Sequence, residues 1–568
     1  MERRSKTVNV GSISDVTRVI ENLLTSGFGP QGKHTLMSTS TGQVTVTNHG
    51  AVILNSLHFA HPIARVVLDA VNKTVSFTGD GCKTYVTYLN SFMEVLKDAH
   101  SENCMEVCKN LELFRMHVYP TLVEKVVEKS EVTNLAVNRE ESEMIIKSVF
   151  RQVLHSQHSA KLVDIFSSFL FSAVFDESAN STVNFWERLQ FLIDNFDSFV
   201  IKLPTMPYRE CEVLDPIIIQ RDFTTSLQNF DGEQEINFVM CTCGIEDALS
   251  QDGFSEVINL TSNQDFCKFM AFQRKKVEKF VKNCKENSVS LVLSQERIPD
   301  FALEIFNSNG ISAIHYVLSE DITLLENVLQ KQAIVDVHDD IVEHNICAAR
   351  KCIVLVLSGK KHVQIVLHKT AQMCPKTLIV AAPTQGLCDQ LVLTLKSCLK
   401  VLSLCDVRNF SDPHILNAYF SKTDTWKNFD WSSSPLCMTI NGGGSFEIFC
   451  SKFLKEYSKT IDEPSLKNFC LQLSTSLLSV PRILHRNNSV IQENLSKDFI
   501  EKMSMLQIKE LDGDSGLVGI DRRGNIKCMS NEGISESLSV KLYIFNGFLE
   551  LLQTLMRIDN IVGVSKEK

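Results

Sequence analysis

Gly27-Phe28-Gly29-Pro30-Gln31-Gly32, Val44-Thr45-Val46-Thr47-Asn48-His49-Gly50-Ala51, His61-Pro62-Ile63-Ala64-Arg65 and Gly79-Asp80-Gly81-Cys82-Lys83-Thr84 follow one another near the start of this chain. Glycines punctuate apolar helical runs, and an acid stands between two glycines just ahead of a helix. Glycine lets backbone approach a ligand closely. A helix N-terminus offers free N–H groups and the positive end of a dipole, which suits phosphate. Asp80 has the hard oxygen donors that a phosphate-bridging magnesium ion takes. The series therefore suits a bound nucleotide. Its candidate contacts are Gly29, Pro30, Gly32, Gly79, Asp80, Gly81, Lys83 and Thr84, with Asp80 as the candidate metal ligand. Gly-Asp-Gly alone is also an ordinary turn; the ordered series carries the reading.

Outward from this stretch, Ser14-Asp15 is expected to open a helix with an apolar stripe at Val16, Val19, Ile20, Leu23 and Leu24, ended by Gly27 in the C′ manner. Helical stripes continue through Ile63–Val71, Val86–Leu96 and Met105–Lys129, and helical text follows to about residue 200. Strand-like runs then appear at Phe199–Leu203, Pro216–Gln220, Ile236–Cys241, Val289–Leu293, Ala313–Val317, Ile353–Leu357, Val363–Leu367 and Thr377–Ala382. Helical text lies between them at Phe266–Lys285, Asp300–Ser308 and Glu320–Leu329. That alternation predicts an α/β module. Arg274-Lys275-Lys276 with Lys279 and Lys282 reads as the solvated face of an amphipathic helix, its apolar face supplied by Phe272, Val277, Phe280 and Val281. After a polar stretch, Asn409–Pro435, helices resume at Phe446–Tyr457, Leu466–Leu478, Leu495–Gln507 and Val540–Met556, with a hairpin-like turn at Gly524-Asn525. Both ends share one style, so the economical reading folds them together around an inserted α/β module.

With 568 residues the chain exceeds one core. A net charge of −10 argues against nucleic acid as the partner. The opening Met1-Glu2-Arg3-Arg4-Ser5-Lys6 has no secretory pattern, so the 18 cysteines read as reduced, mostly buried thiols of a cytoplasmic protein. Cys104…Cys108 and Cys241-Thr242-Cys243 lack the paired spacing of a zinc site. No apolar run approaches the ~20 residues of a membrane span. The scattered histidines, among them His58, His61 and His315, form no nucleophile–base–acid set and read as core or turn residues.

The ordered series resembles the type II chaperonins, the family of the TCP-1 ring complex and the thermosome. Their pattern runs Gly-Pro-x-Gly, Thr-Asn-Asp-Gly-Ala, His-Pro-x-Ala, Gly-Asp-Gly-Thr-Thr. His61-Pro62-Ile63-Ala64-Arg65 with Gly79-Asp80-Gly81-x-Lys83-Thr84 looks most like the divergent branch of Bardet–Biedl chaperonin-like proteins. Later text agrees: Asn441-Gly442-Gly443-Gly444-Ser445-Phe446-Glu447, Val480-Pro481-Arg482, Gly519-Ile520-Asp521 and Gly533-Ile534-Ser535-Glu536. The resemblance is specific at the two ends and faint between about 130 and 370. It implies an α+β multidomain chaperonin fold. An equatorial domain would comprise 1–130 and 401–568, intermediate segments 131–198 and 368–400, and an apical domain 199–367. It also implies ATP and Mg2+ as ligands, with Gly443, Gly444 and Glu536 on the nucleotide's ribose side. Gly443-Gly444 is equally a loose loop opening a helix.

Three departures matter. The family's Asn-Asp-Gly acid is His49 here, the acid of the helix after the second intermediate segment aligns with Ser397, and Cys82-Lys83 removes two hydroxyls while adding a charge. Attack of water on a γ-phosphate needs a carboxylate to orient and deprotonate it. The expectation is little or no ATPase, no catalytic residue, and uncertain nucleotide binding. By resemblance the chain would be an assembly factor acting with other Bardet–Biedl chaperonin-like proteins and TCP-1 ring subunits. Its clients would be subunits of the BBSome, a ciliary membrane-coat complex, met in the cytoplasm or at the centrosome and cilium base. The alternative is an active ATP-dependent folding subunit of a ring. The polar text Gly244–Asp265, where the family has a helical lid, implies a remodelled or disordered lid.

Overall fold

The computed structural model describes every residue except 1–4, 39–43, 100–102, 136–138, 155–159, 175–184, 215–216, 226–234, 246–262, 337–339, 368–375, 411–434, 490–498, 502–516, 530–531 and 563–568. Most of the expected lid text, the polar stretch 411–434 and most of the helix expected over Leu495–Gln507 lie outside the described residues. The chain divides into two compact units. One comprises Met1–Ser167 and Asp389–Lys568, the other Ser168–Cys388.

The first unit is built around the Cys82–Asp98 helix. Tyr85, Val86, Tyr88, Leu89, Phe92, Met93 and Leu96 are all buried on it, and so are Thr87 and Asn90. A helix buried on most sides is a core helix rather than a surface one. Its aromatic rings meet the chain's far end: Phe92 lies edge-on to Phe469 at 5.5 Å and to Phe548 at 6.1 Å, and Tyr88 to Phe545 at 6.2 Å. Such pairs each contribute about 0.5–1.5 kcal/mol beyond their burial. Hydrogen bonds fix its rotation, Thr17 Oγ1 donating to Asn90 Oδ1 at 3.0 Å and Tyr85 O–H to the Gly547 carbonyl at 2.8 Å.

A three-stranded sheet also joins the two ends of the chain, with Leu436–Asn441 central between Glu131–Asn134 and Ser535–Ser537. None of these strands was expected; Glu131–Asn134 and Ser535–Ser537, at four and three residues, give too short a pattern to separate from helical text. The turn at Gly524-Asn525 does close a hairpin, Val518–Ile520 with Ile526–Cys528.

The opening helix differs from expectation. It runs Val10–Thr25, started by a reciprocal cap in which Asn9 accepts from the Ser12 N–H and Ser12 Oγ from the Asn9 N–H. Its buried face is Val10, Ile13, Thr17, Ile20 and Leu24, while Val19 and Leu23 are exposed. Thr17 displaced the apolar stripe because its hydroxyl has a buried partner. Gly27 has no left-handed φ. It is needed because a Cβ there would stand 2.5 Å from Asn48 Oδ1.

The second unit is the α/β module. Its six-stranded sheet has the order Ser312–Ile314, Val289–Ser294, Ile236–Cys241, Cys347–Leu357, Lys360–Leu367, Ile217–Ile219. The first three strands are parallel, with helices Asn263–Glu286 and Asp300–Ser308 in the chain between them. A smaller sheet pairs Thr377–Ala382 with Val200–Pro204 and Glu212–Leu214. Val277, Phe280 and Val281 enter the core with Val239, Val292 and Phe306. The basic run is a solvated face, with Arg274–Glu278 at 3.3 Å and Lys282–Glu286 at 3.7 Å. Phe272 is exposed rather than in the apolar face, with Lys276 Nζ 4.5 Å from its ring centre.

Gly81 has φ +99°, and a Cβ on it would lie 2.0 Å from Ile544 Cδ1. Gly81→Ala is therefore expected to destabilise the first unit by about 2–4 kcal/mol, combining left-handed strain with overpacking. Gly386→Ala, where a Cβ meets nothing within 4 Å, is expected to change stability by no more than about 1 kcal/mol, in the stabilising direction. Denaturant unfolding of the two variants checks both.

Candidate functional site

Gly79 and Gly81 have φ +77° and +99° and bracket Asp80 in a left-handed connection between the Pro62–Thr78 and Cys82–Asp98 helices. A Cβ on Gly79 would meet Lys400 Cβ at 2.9 Å and the Ser397 carbonyl at 3.0 Å. So these glycines serve close packing against later segments as well as access. Gly443 and Gly444 repeat the device at φ +72° and +78°, Gly444 opening the Ser445–Tyr457 helix. A Cβ on Gly443 would stand 2.6 Å from the Ile520 carbonyl, and one on Gly29 (φ +83°) 2.7 Å from Leu484 Cδ2.

One cavity of the first unit brings these pieces together. Gly29, Pro30, Gly79, Asp80, Gly81, Lys83, Thr84, Gly443, Gly444 and Glu536 all line it, and so do His49 and Ser397. Gly32 does not. Its N–H donates to the Gly29 carbonyl at 3.0 Å, and a Cβ would collide with the Gly27 carbonyl at 2.4 Å, so its role is to close the loop. Reading from sequence missed Asn48, Gln390, Thr394, Arg151, Arg522 and Lys541 in the wall. Gln390, Thr394 and Ser397 stand at i, i+4 and i+7, one face of the helix Gln385–Ser403. That spacing was legible.

The electrostatics separate the carboxylates. Lys541 Nζ lies 2.9 Å from Glu447 Oε1 and 2.6 Å from Glu536 Oε2, and Tyr88 O–H donates to Glu447 Oε1 at 2.6 Å. Glu447 is 0% exposed and Lys541 6%. Burial alone would lower the Lys541 pKa, but Glu447 and Glu536 outweigh it and hold it above the ordinary lysine value. Burial raises the Glu536 pKa, against the pull of Lys541. Glu536 is thus committed to an internal ion pair. A charged side chain in the apolar run Leu538–Met556 was the sequence signal for this cluster, since lysine is almost never buried unpaired.

Lys83 does not point freely into the cavity. Its Nζ donates to the Gly27 carbonyl at 2.6 Å and to Asn48 Oδ1 at 2.7 Å, bracing two loops of the wall. Burial lowers its pKa to about 8, while Asp80 and Cys82 pull it upward. His49 begins the Gly50–Ser56 helix without a side-chain cap, and its Nδ1 is buried with no hydrogen-bond partner among the described residues. Burial lowers its pKa, Asp80 opposing and Lys83 assisting.

The fit to a nucleotide's phosphates can be judged from the wall. The Cys82–Asp98 helix has no side-chain cap and no acid in its first turn, so its N–H groups are left for an outside anion. The left-handed glycines keep Cβ atoms from filling the space in front of it. Asp80 is the one lining carboxylate not paired with Lys541, and would be the magnesium ligand. Among the described residues no group of three or more His, Cys, Asp or Glu side chains is placed to hold a metal ion.

Two segments of the chain, residues 20–406 and 437–566, match the TCP-1/cpn60 chaperonin family. The chain is 22% identical over 475 residues to the BBSome complex assembly protein BBS10 of Pongo abelii, covering 78% of this chain and 63% of that protein. To the BBS10 protein of Homo sapiens it is 22% identical over 423 residues, covering 69% and 57%. To a thermosome subunit of Methanothermococcus thermolithotrophicus it is 21% identical over 569 residues, covering 97% and 90%. The matched regions thus span less than two thirds of those BBS10 proteins, but nearly all of the thermosome subunit. No helix among the described residues is long and apolar enough to cross a membrane.

Lys541→Met strands two buried carboxylates and is expected to cost about 3–5 kcal/mol in denaturant unfolding; combining it with Glu447→Gln and Glu536→Gln should recover most of the loss. The lowered folded-state pKa of His49 means that the unfolded chain binds its proton first. That stability is present above about pH 6.5 and lost as pH falls through the folded value. His49→Gln should therefore flatten part of the fall in melting temperature between pH 7 and 5, leaving the contributions of His315 and His362, whose pKa values are also lowered by burial.

Proposed function

The chain belongs to the TCP-1/cpn60 chaperonin family, and from there we propose that it is a chaperonin-like assembly factor that holds a nucleotide without turning it over. The observation that carries this reading is the company Asp80 keeps. Its cavity is lined by His49 and Ser397 where the family's pattern has acids, and the other lining carboxylate, Glu536, is paired with Lys541. The helix N-terminus at Gly81 would receive phosphate oxygens, Gly443 and Gly444 would meet the ribose side, and Asp80 would ligate magnesium where the ion accompanies the nucleotide. What is missing is a base for water: Ser397 cannot serve at its own pKa, and His49, held neutral, is a weak orienting group that binds magnesium poorly.

The likeness to BBS10 proteins supports assembly of the BBSome as the cellular task. Other Bardet–Biedl chaperonin-like proteins and TCP-1 ring subunits would be partners and BBSome subunits clients, in the cytoplasm or at the cilium base. We carry over the family's division as part of this reading: equatorial 1–130 and 401–568, intermediate 131–198 and 368–400, apical 199–367. The near-complete alignment with a thermosome subunit favours the second reading, an active folding subunit of a ring. Turnover separates the two.

Purified protein is expected to bind ATP, measured by calorimetry, with no magnesium-dependent phosphate release above background. His49→Asp combined with Ser397→Asp should raise release by roughly a hundredfold or more, the usual worth of a positioned base. Magnesium-dependent release by the unaltered chain, abolished in Asp80→Ala, would overturn the reading.

A further inference from the structure

Lys83 stands where electrostatics disfavours it. It occupies the first turn of the Cys82–Asp98 helix, whose N-terminus already carries the positive dipole end. No acid in that turn compensates it. Two of its three N–H donors are taken, by the Gly27 carbonyl at 2.6 Å and Asn48 Oδ1 at 2.7 Å. Both acceptors are neutral oxygens, so the ammonium is positioned without being neutralised by them. Asp80 is the carboxylate that acts on it electrostatically, which lessens the charge Asp80 can offer a divalent ion. An ammonium held by fixed oxygens, with a donor left over among the described residues, at a helix N-terminus and in the wall of the cavity, has the arrangement of a bound cation awaiting an anion.

We propose that Lys83 is a resident cation that takes magnesium's part in binding the nucleotide's phosphates, so that this chain holds a nucleoside diphosphate or triphosphate without a divalent ion. The idea rests on the nucleotide-holding reading above and adds the charge that makes it independent of metal. The ammonium braces the Gly27–Gly32 loop against the Asn48 turn and donates its remaining proton to a phosphate oxygen. It also explains why the position carries lysine rather than the family's threonine: a hydroxyl helps a magnesium shell, whereas an ammonium replaces part of it.

The test is calorimetric binding of ADP to the full chain, in EDTA and in excess magnesium chloride. Unaltered protein should bind in EDTA. Lys83→Gln should lose about 10–100-fold in affinity in EDTA and much less in magnesium. Lys83→Arg, which keeps the charge, and Asn48→Ala, which weakens the brace but leaves the ammonium, should both retain binding in EDTA. Melting curves show that each variant is folded, and Asn48→Ala and Lys83→Arg carry the test if Lys83→Gln is not. ADP binding that requires magnesium and ignores Lys83 would overturn this inference while leaving the nucleotide-holding reading intact. Absence of ADP binding in both conditions would overturn both.

Discussion

The left-handed Gly79-Asp80-Gly81 connection has the far end of the chain packed tightly against it. The atoms that forbid a Cβ on these glycines belong to Ser397, Lys400 and Ile544, more than three hundred residues away in sequence. The backbone geometry that presents Asp80 and opens the next helix is therefore a tertiary property. Gly79 and Gly81, both of positive φ on either side of Asp80, each give up more conformational freedom than any other residue would. Closing the loop between residue 80 and residue 544 is entropically expensive. The apolar helices that do it, with Phe92 against Phe469 and Phe548, supply the driving force. Site and core form together.

That dependence explains what could be read from residues alone. Glycine and proline positions were legible, because few other residues satisfy a positive φ or a first helical turn, and the cavity collects them. The α/β strands were legible where β-branched runs were long enough to show a period: Thr377–Ala382 and the Asp300–Ser308 helix match residue for residue. The strands Glu131–Asn134 and Ser535–Ser537 were not, since four and three residues show no period, and Leu436–Asn441 went unread although it is as long as Thr377–Ala382. The first helix misled for a related reason. Counting apolar residues placed Val19 and Leu23 inside, whereas the buried position went to Thr17, whose hydroxyl meets Asn90.

Charge was the least legible layer. Glu447 and Lys541 lie 94 residues apart, and nothing local links them. Once paired, they change what Glu536 can do. A carboxylate in a nucleotide-sized cavity would ordinarily be counted as a candidate ligand or base. Sharing Lys541 with Glu447 in a nearly dry site, it is held by interactions whose loss would leave charge uncompensated, and it is not free to reorient toward water or metal.

Asp80 and Lys83 then act on each other's charge, and both act on His49, whose pKa burial lowers. In a site designed to hydrolyse, carboxylates would gather around the metal, and their mutual repulsion would be relieved only when the metal arrives. With Lys83 in the part proposed for it, the cation is covalently part of the chain, and binding an anion needs no second ion. Retention and turnover then have separate sources in this cavity: the ammonium of Lys83 would supply charge for an anion, whereas a base for water would have to stand at His49 or Ser397.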